Sequence, residues 1–472
     1  MTAAAADPNL IDEAVVARVL DQALKTGGEF AEVFAEDRRG LTLGLDDGRI
    51  EDISSGRERG AGIRVVAGNT TGFAHTADLS ERGLLKAAES ASAAARSGGG
   101  GTREVALSRR QPATPSPVEV LPAGVGKDRK VELLRKADAA ARAAGGSVRQ
   151  VKAFYRDSRR QVLVASSEGV LASDDQVRAQ FRVTVVASGD TGMQTGAESV
   201  GATMGFELFD RHDVEELARS AARRSLRKLE ARPAPSGTMP VVIKCGSGGV
   251  LFHEACGHGL EADHIVKAVS VFAGKVGEQV AAPFVTLVDD GTMSHEWGAM
   301  AIDDEGHPTS RNVLIQDGVL TDYMWDWLRA RQQDKDVSAN GRRQSYQHLP
   351  MVRMTNTYLL NGGENPDEIV RQTRHGVYVA QLGGGQVNTA TGDFVFGMTE
   401  AYMIEDGQLT GPIRDANLIG NGPQVLRDID ALGDDFAMGW PGTCGKQGQG
   451  VPVGMGQPTL RVRGLTIGGT AR

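Results

Sequence analysis

The stretch His253-Glu254-Ala255-Cys256-Gly257-His258 constrains this chain most. It sets two imidazoles five residues apart in a segment that otherwise reads as a buried helix, residues 250–261. At ~100° per residue, such positions lie about 140° apart around a regular helix and cannot share a face. A fold that brings both rings to one point must break the helix between them. Gly257 is where a break or bulge is predicted, swinging His258 back toward His253. Imidazole nitrogen is a good zinc ligand, and the Glu254 carboxylate could take a proton from a water held by the metal. Single histidines are mostly ordinary hydrogen-bonded residues. With only nine histidines in the chain, the joint pattern favours a metal site over chance.

A chain of 472 residues exceeds one ordinary core, so two domains are expected. Ala231 to Pro240, with three prolines and a glycine, is the best boundary. The expected fold class is α+β. Residues 1–235 would form an N-terminal α/β domain with an antiparallel sheet and helices, interrupted by a Gly/Pro-rich connection over 97–126. Residues 236–472 would form a predominantly β domain carrying the metal-binding helix. A net charge of −8, and no basic run interleaved with aromatics, argue against nucleic-acid or membrane binding. Met1 to Pro8 has no basic leader, and no apolar run approaches the roughly 20 residues needed to span a bilayer. A cytoplasmic location is therefore expected. Three cysteines are too few and odd in number for a disulfide framework.

Along the N-terminal half, helices are predicted at 10–25, 80–96 and 128–144. The last helix of that half is predicted from a capping box of Asp213 and Glu216 to about Leu229. Strands are predicted at 31–35, 41–45, 63–67, 71–75, 148–156, 161–166, 170–173 and 177–187. The second half opens with a strand at 241–244 and a turn, Gly246-Ser247-Gly248-Gly249. Close strand–helix packing explains those glycines better than a phosphate site, which lacks a P-loop lysine. Beyond Val276, short β-prone segments alternate with turn pairs such as Asp317-Gly318 and Asp406-Gly407, suggesting a distorted barrel or sandwich.

Catalytic zinc commonly takes three protein ligands. Cys444 is the best third candidate, since flanking glycines let the backbone come close and thiolate suits zinc. Cys245 lies in a predicted strand, and Cys256 could reach a metal only if the helix stayed regular. His295, His348 and Arg353 are polar candidates for oxyanion stabilisation, each more often an ordinary structural residue. The His-Glu-x-x-x-His arrangement is the HExxH zinc-protease pattern with one residue added.

The run His253 to Asp263 resembles the signature of the TldD/PmbA family of modulator-of-gyrase-type metallopeptidases, on its metal-bearing TldD side. Pro441 to Gly445, Val451-Pro452-Val453-Gly454 and Gly456 to Leu460 are similar to that family's C-terminal signature, with weaker matches at Gly62 to Ala74 and Gly383 to Met398. The resemblance covers nearly the whole chain. It implies a zinc peptidase with Zn2+ on His253, His258 and Cys444, and Glu254 as the general base activating a zinc-bound water. It further implies a heterodimer with a TldE/PmbA-like partner, although one chain does not separate this from a homodimer. The implied substrates are unfolded peptides, such as precursors of modified peptide natural products and labile antitoxins. Two alternatives stay open on the residues alone: a peptide-binding scaffold with structural zinc, and a zinc amide hydrolase acting on a small biosynthetic molecule.

Overall fold

The computed structural model describes residues 10–95, 106–388 and 390–469; the readings made on Met1 to Pro8 and on residues 97–105 of the Gly/Pro-rich connection fall outside them. In the first half, strands Thr70–Thr76, Arg49–Ala67, Phe30–Asp46, Val148–Ser166, Val170–Gly189 and Ser108–Arg110 lie side by side in that order, with Gly192–Ala202 also paired to Val170–Gly189. The pairing is antiparallel except at Ser108–Arg110. Helices Glu13–Leu24 and Glu81–Ala94 cover one end of this sheet, while Lys127–Ala143 and Val214–Leu229 cover the other. Alternation explains the arrangement. Ala31, Val33 and Ala35 meet the first helix pair, and Leu41, Leu43 and Leu45, on the same face, meet the second.

The predicted pairs of short strands are single long ones. Residues 36–40, 157–160 and 174–176 read as breaks because they are polar, yet the ladder runs straight through them, with Arg38 opposite Arg160 and Gln161 opposite Asp175. Glu36 and Arg160 within them are matched across the molecule rather than solvated. On the face away from the helices, Glu32 accepts from Arg64 at 2.8 Å and from Arg343, while Arg160 bridges Glu36 at 2.9 Å and Asp304 at 3.0 Å. Phe34 packs among these charges with Val162, Ile302 and Tyr346. The two halves are thus joined by a buried ionic seam. Replacing Arg343 with Met should cost about 3–5 kcal/mol, because it strips a counter-charge from fully buried Glu32. An unchanged thermal unfolding midpoint would show that the seam carries no such weight.

Two further differences are local. Asp213 caps its helix through Glu215 N at 2.9 Å, but Glu216 bonds Arg219 and Arg223 instead of reaching back, so no capping box forms. The strand Gly192–Ala202 was not foreseen, being rich in glycine and small polar residues. Gly196 lets it approach the last helix, since a Cβ there would lie 2.1 Å from Ala221 O. The described part of the Gly/Pro-rich connection is pinned rather than loose, through its paired strand Ser108–Arg110 and a bond from His295 N to Ser116 Oγ.

In the second half, His375–Val387, Gly237–Ile243, Leu460–Gly468, Asn417–Asn421 and Asp393–Glu405 pair in sequence, and the last pairs back to the first, closing a barrel. A second sheet orders Val319–Leu320, Arg311–Gln316, Leu287–Asp290, Asn356–Leu359, Gln449–Gln457 and Ala437–Met438, with Gly442–Lys446 added on Gln449–Gln457. Asp317-Gly318 and Asp406-Gly407 make tight hairpin turns with positive φ at both residues, as does Gln447-Gly448 in the hairpin carrying Cys444. Ala231 to Pro240 is no free linker, because Arg232–Pro233 pairs with Ile413 and Arg414. Among the described residues, no helix is long and apolar enough to cross a membrane.

Candidate metal centre

The strand Gly237–Ile243 leads through Gly246 to Gly249 into the helix Gly249–Ala255. The glycines serve contact: a Cβ on Gly249 would lie 2.5 Å from Gly456 N, and one on Gly248 2.7 Å from Ile243. The helix then stops. Cys256 leaves helical geometry (φ −124°, ψ −51°), and a 3-10 turn, Gly257–Leu260, carries His258. This break brings the imidazoles together, with ring centroids 5.1 Å apart and planes at 80°.

Gly257 matters for a different reason from the one predicted. Its φ is not positive, and the backbone departs from the helix at Cys256. A Cβ at Gly257, however, would lie 2.2 Å from Met354 Sδ. Gly257→Ala should therefore push the turn off Met354, costing about 1–3 kcal/mol and weakening zinc retention. Adding Met354→Ala should restore zinc content; failure of that rescue would show that the glycine is needed for something other than space.

Cys444 lies in the hairpin strand Gly442–Lys446. One ligand atom from each of His253, His258 and Cys444 falls within 4.8 Å of the others, and all three residues are buried. Cys444 Sγ is 3.2 Å from His258 Nε2. Among the described residues, neither ring nitrogen of His253 has a hydrogen-bond partner, a costly condition for a buried imidazole unless something else binds it. The donor set of two nitrogens and one sulfur fits zinc. Burial opposes ionisation of Cys444, but His253 and His258 outweigh it and bring the thiol down to about 4, which favours the ligating thiolate. Cys256 is the opposite case. It is buried with no charged neighbour to stabilise a thiolate, its thiol is pushed up, and it stands outside the donor group.

A supporting shell surrounds the donors. His258 Nδ1 contacts Glu261 Oε2 at 2.8 Å, which directs Nε2 toward Cys444. Burial works against charge on both partners, yet each favours it on the other: His258 is held well above its usual range and Glu261 falls to about 2. Lys446 Nζ bonds Glu261 Oε2 at 2.9 Å and Asp263 Oδ1 at 2.7 Å. That ammonium already sits between Glu261 and Asp263, so a second cation held by them and His264 would meet it. Arg353 donates to Cys444 O and, at 3.2 Å, to Gln449 O, bracing the hairpin instead of facing a substrate. His348 pairs with Ser345, and His295 holds the connection near Ser116 and Thr203. Sequence reasoning missed Glu261 and Lys446. Each stands within three residues of a donor, at a spacing that returns it to the same side.

Glu254 differs from the acids around it. Its side chain is 30% exposed, against 0% for Glu261, and its Oε2 lies 3.8 Å from His258 Nε2. It stands beside the donors without being bound into their support.

Comparison with known proteins points to a family of metallopeptidases. The PmbA/TldA metallopeptidase family matches through its domain 1 at residues 31–95, its central domain at 121–229 and its C-terminal domain at 236–469. A metalloprotease TldD homolog from Haemophilus influenzae is 38% identical, over 94% of this chain and 93% of that one. A protein named zinc metalloprotease TldD homolog, from Saccharolobus solfataricus, is 27% identical over 73% of this chain and 78% of its own. The crystal structure of TldE from Thermococcus kodakarensis shares the fold, with a TM-score of 0.76 at 20% identity over 96% of this chain and 98% of that one. By sequence along nearly its whole length, and by fold, this chain belongs to the TldD/PmbA family of metallopeptidases.

Proposed function

We propose that the chain is a zinc-dependent peptidase that cleaves unfolded or extended peptides, acting as the metal-bearing subunit beside a TldE/PmbA-like partner. The observation that carries this reading is the partly exposed Glu254 carboxylate beside a buried three-donor set. A structural metal site has no use for such a group. Zinc held by His253, His258 and Cys444 would supply Lewis acidity, polarising the carbonyl under attack and making water more acidic. Glu254 accepts the proton of the attacking water as its oxygen bonds the carbonyl carbon. As the C–N bond breaks, Glu254 delivers that proton to the leaving amine nitrogen. Glu261 and Lys446 keep His258 oriented and hold no reacting atom.

The hairpin supports the choice of an extended substrate. Gly442–Lys446 pairs, among the described strands, with Gln449–Gln457 alone, and Thr443 and Gly445 are exposed. Nothing lies within 4 Å of where a Gly445 Cβ would be. A peptide strand can add along this edge and be read through its backbone, which a folded protein cannot offer. The shared fold of TldE is in keeping with a pair of like-folded subunits.

The reading is tested by offering the zinc-loaded chain, alone and with a TldE-like partner, an unstructured peptide and a folded protein of similar length. Cleavage confined to the peptide and stopped by a chelator is the expected result. Equal activity with chelator present, or none under any condition, would overturn it.

A further inference from the structure

Six arginines, Arg38, Arg156, Arg160, Arg178, Arg342 and Arg343, line one cavity of about 270 Å³ between the first-half sheet and the Cys444 hairpin. Among the described residues, no aspartate or glutamate lines it. Among the described residues, two of the six have a carboxylate partner: Arg160 has Glu36 and Asp304, and Arg343 has Glu32. Arg178 spends its donors on neutral acceptors, the carbonyls of Trp297 and Ala299 at 3.0 Å and Gln176 Oε1 at 2.9 Å. Arg342 likewise bonds the carbonyls of Met354 and Pro452. Arg343 is 1% exposed and lies over the Phe34 ring, yet its Nε and Nη1 have no hydrogen-bond partner among the described residues.

So many cations in one place are costly. Burial, then repulsion from Arg342 and Arg160, lowers Arg178 to about 9. Burial and Arg353 bring Arg342 to about 10, against the pull of Asp304. Buried charge normally comes with its counter-charge. Here the cavity walls do not provide enough of it, so the space is suited to an anion. Guanidinium groups recognise planar carboxylates through paired donors.

The cavity also has a fixed relation to the metal donors. Thr443 and Pro452, directly opposite each other in the hairpin, line it, whereas Cys444 stands on the alternate face with the imidazoles. Successive side chains of a paired peptide alternate in the same way. A peptide strand on the Thr443–Gly445 edge can therefore lay its backbone beside the donors while turning alternate side chains toward the arginines.

We propose that this cavity is a carboxylate subsite, taking an acidic side chain or the C-terminal carboxylate of the peptide held along the Cys444 strand. The inference rests on the peptide reading above and adds a preference for negatively charged substrates near the point of cleavage.

Binding tests it without turnover. The full zinc-loaded chain carrying Glu254→Gln is titrated with three fluorescent unstructured peptides of one sequence. One has a central Gln and an amidated end, one a central Glu and an amidated end, and one a central Gln and a free C-terminal carboxylate. A charged peptide should bind at least about tenfold tighter than the neutral one, and which of the two does so identifies the source of the carboxylate. Arg156 is exposed and Arg38 half-buried, and neither has an ion pair among the described residues, so Arg38→Gln with Arg156→Gln should fold and reduce that advantage to about threefold or less. Equal affinities for the three peptides, an advantage undiminished in the double variant, or no binding by any peptide would each overturn the subsite. A preference in binding, with no cleavage of any peptide by the unaltered chain, would leave the subsite standing and remove the peptidase reading instead.

Discussion

Glu254→Gln should lower kcat for peptide cleavage by between about a hundredfold and ten-thousandfold while leaving the zinc content unchanged. The magnitude is that of a positioned general base. The amide keeps the size and hydrogen-bonding reach of the carboxylate but cannot hold the proton taken from water. Zinc should be retained because Glu254 lies outside the donor group and its side chain is partly exposed, so that neither packing nor ligation depends on its charge. Elemental mass spectrometry beside steady-state kinetics checks both halves. Normal turnover in the variant would sink the general-base role, and loss of the metal would make Glu254 a ligand or a structural support.

Cys444→Ser is expected to have the other large effect, this time on the metal. Loss of an outer-shell partner alone typically weakens a zinc site by 10–100-fold. Removing a thiolate ligand should therefore cost more than about 100-fold in affinity, emptying the site during purification. The serine hydroxyl preserves the shape of the hairpin but is a poor ligand, so the fold should survive. Cys256→Ala provides the contrast: its thiol is buried in the core away from the donors, and its loss should leave zinc bound. Zinc retained in the Cys444 variant but lost in the Cys256 variant would reverse the assignment of the third donor.

The two variants also separate the competing readings. A scaffold with structural zinc loses its fold with Cys444 and is indifferent to Glu254. A peptidase depends on both, in different ways. A small-molecule amide hydrolase would share the dependence on Glu254 but would have no reason to prefer extended peptides.

Much of this was present in the sequence because it is local. The amphipathic stripes of the helices, the alternation at Leu41, Leu43 and Leu45, and the Asp-Gly turns are set by contacts within a few residues, which sequence spacing reports directly. The pairing of His253 with His258 could also be read, because their geometric conflict on a regular helix required a break. What the sequence alone did not show is why the break lies where it does. Cys256 leaves the helix and Gly257 fits beneath Met354, a residue far along the chain. The long strands were hidden for the same reason. Residues such as Glu36 and Arg160 look like turn residues until Asp304, from the other half, supplies a counter-charge. The arginine cavity is the extreme case. Its six guanidinium groups come from four separate stretches of chain, each unremarkable alone, and only tertiary packing sums their charge in one place. Local periodicity is written residue by residue, whereas burial, charge balance and close approach depend on partners that only the folded chain brings near.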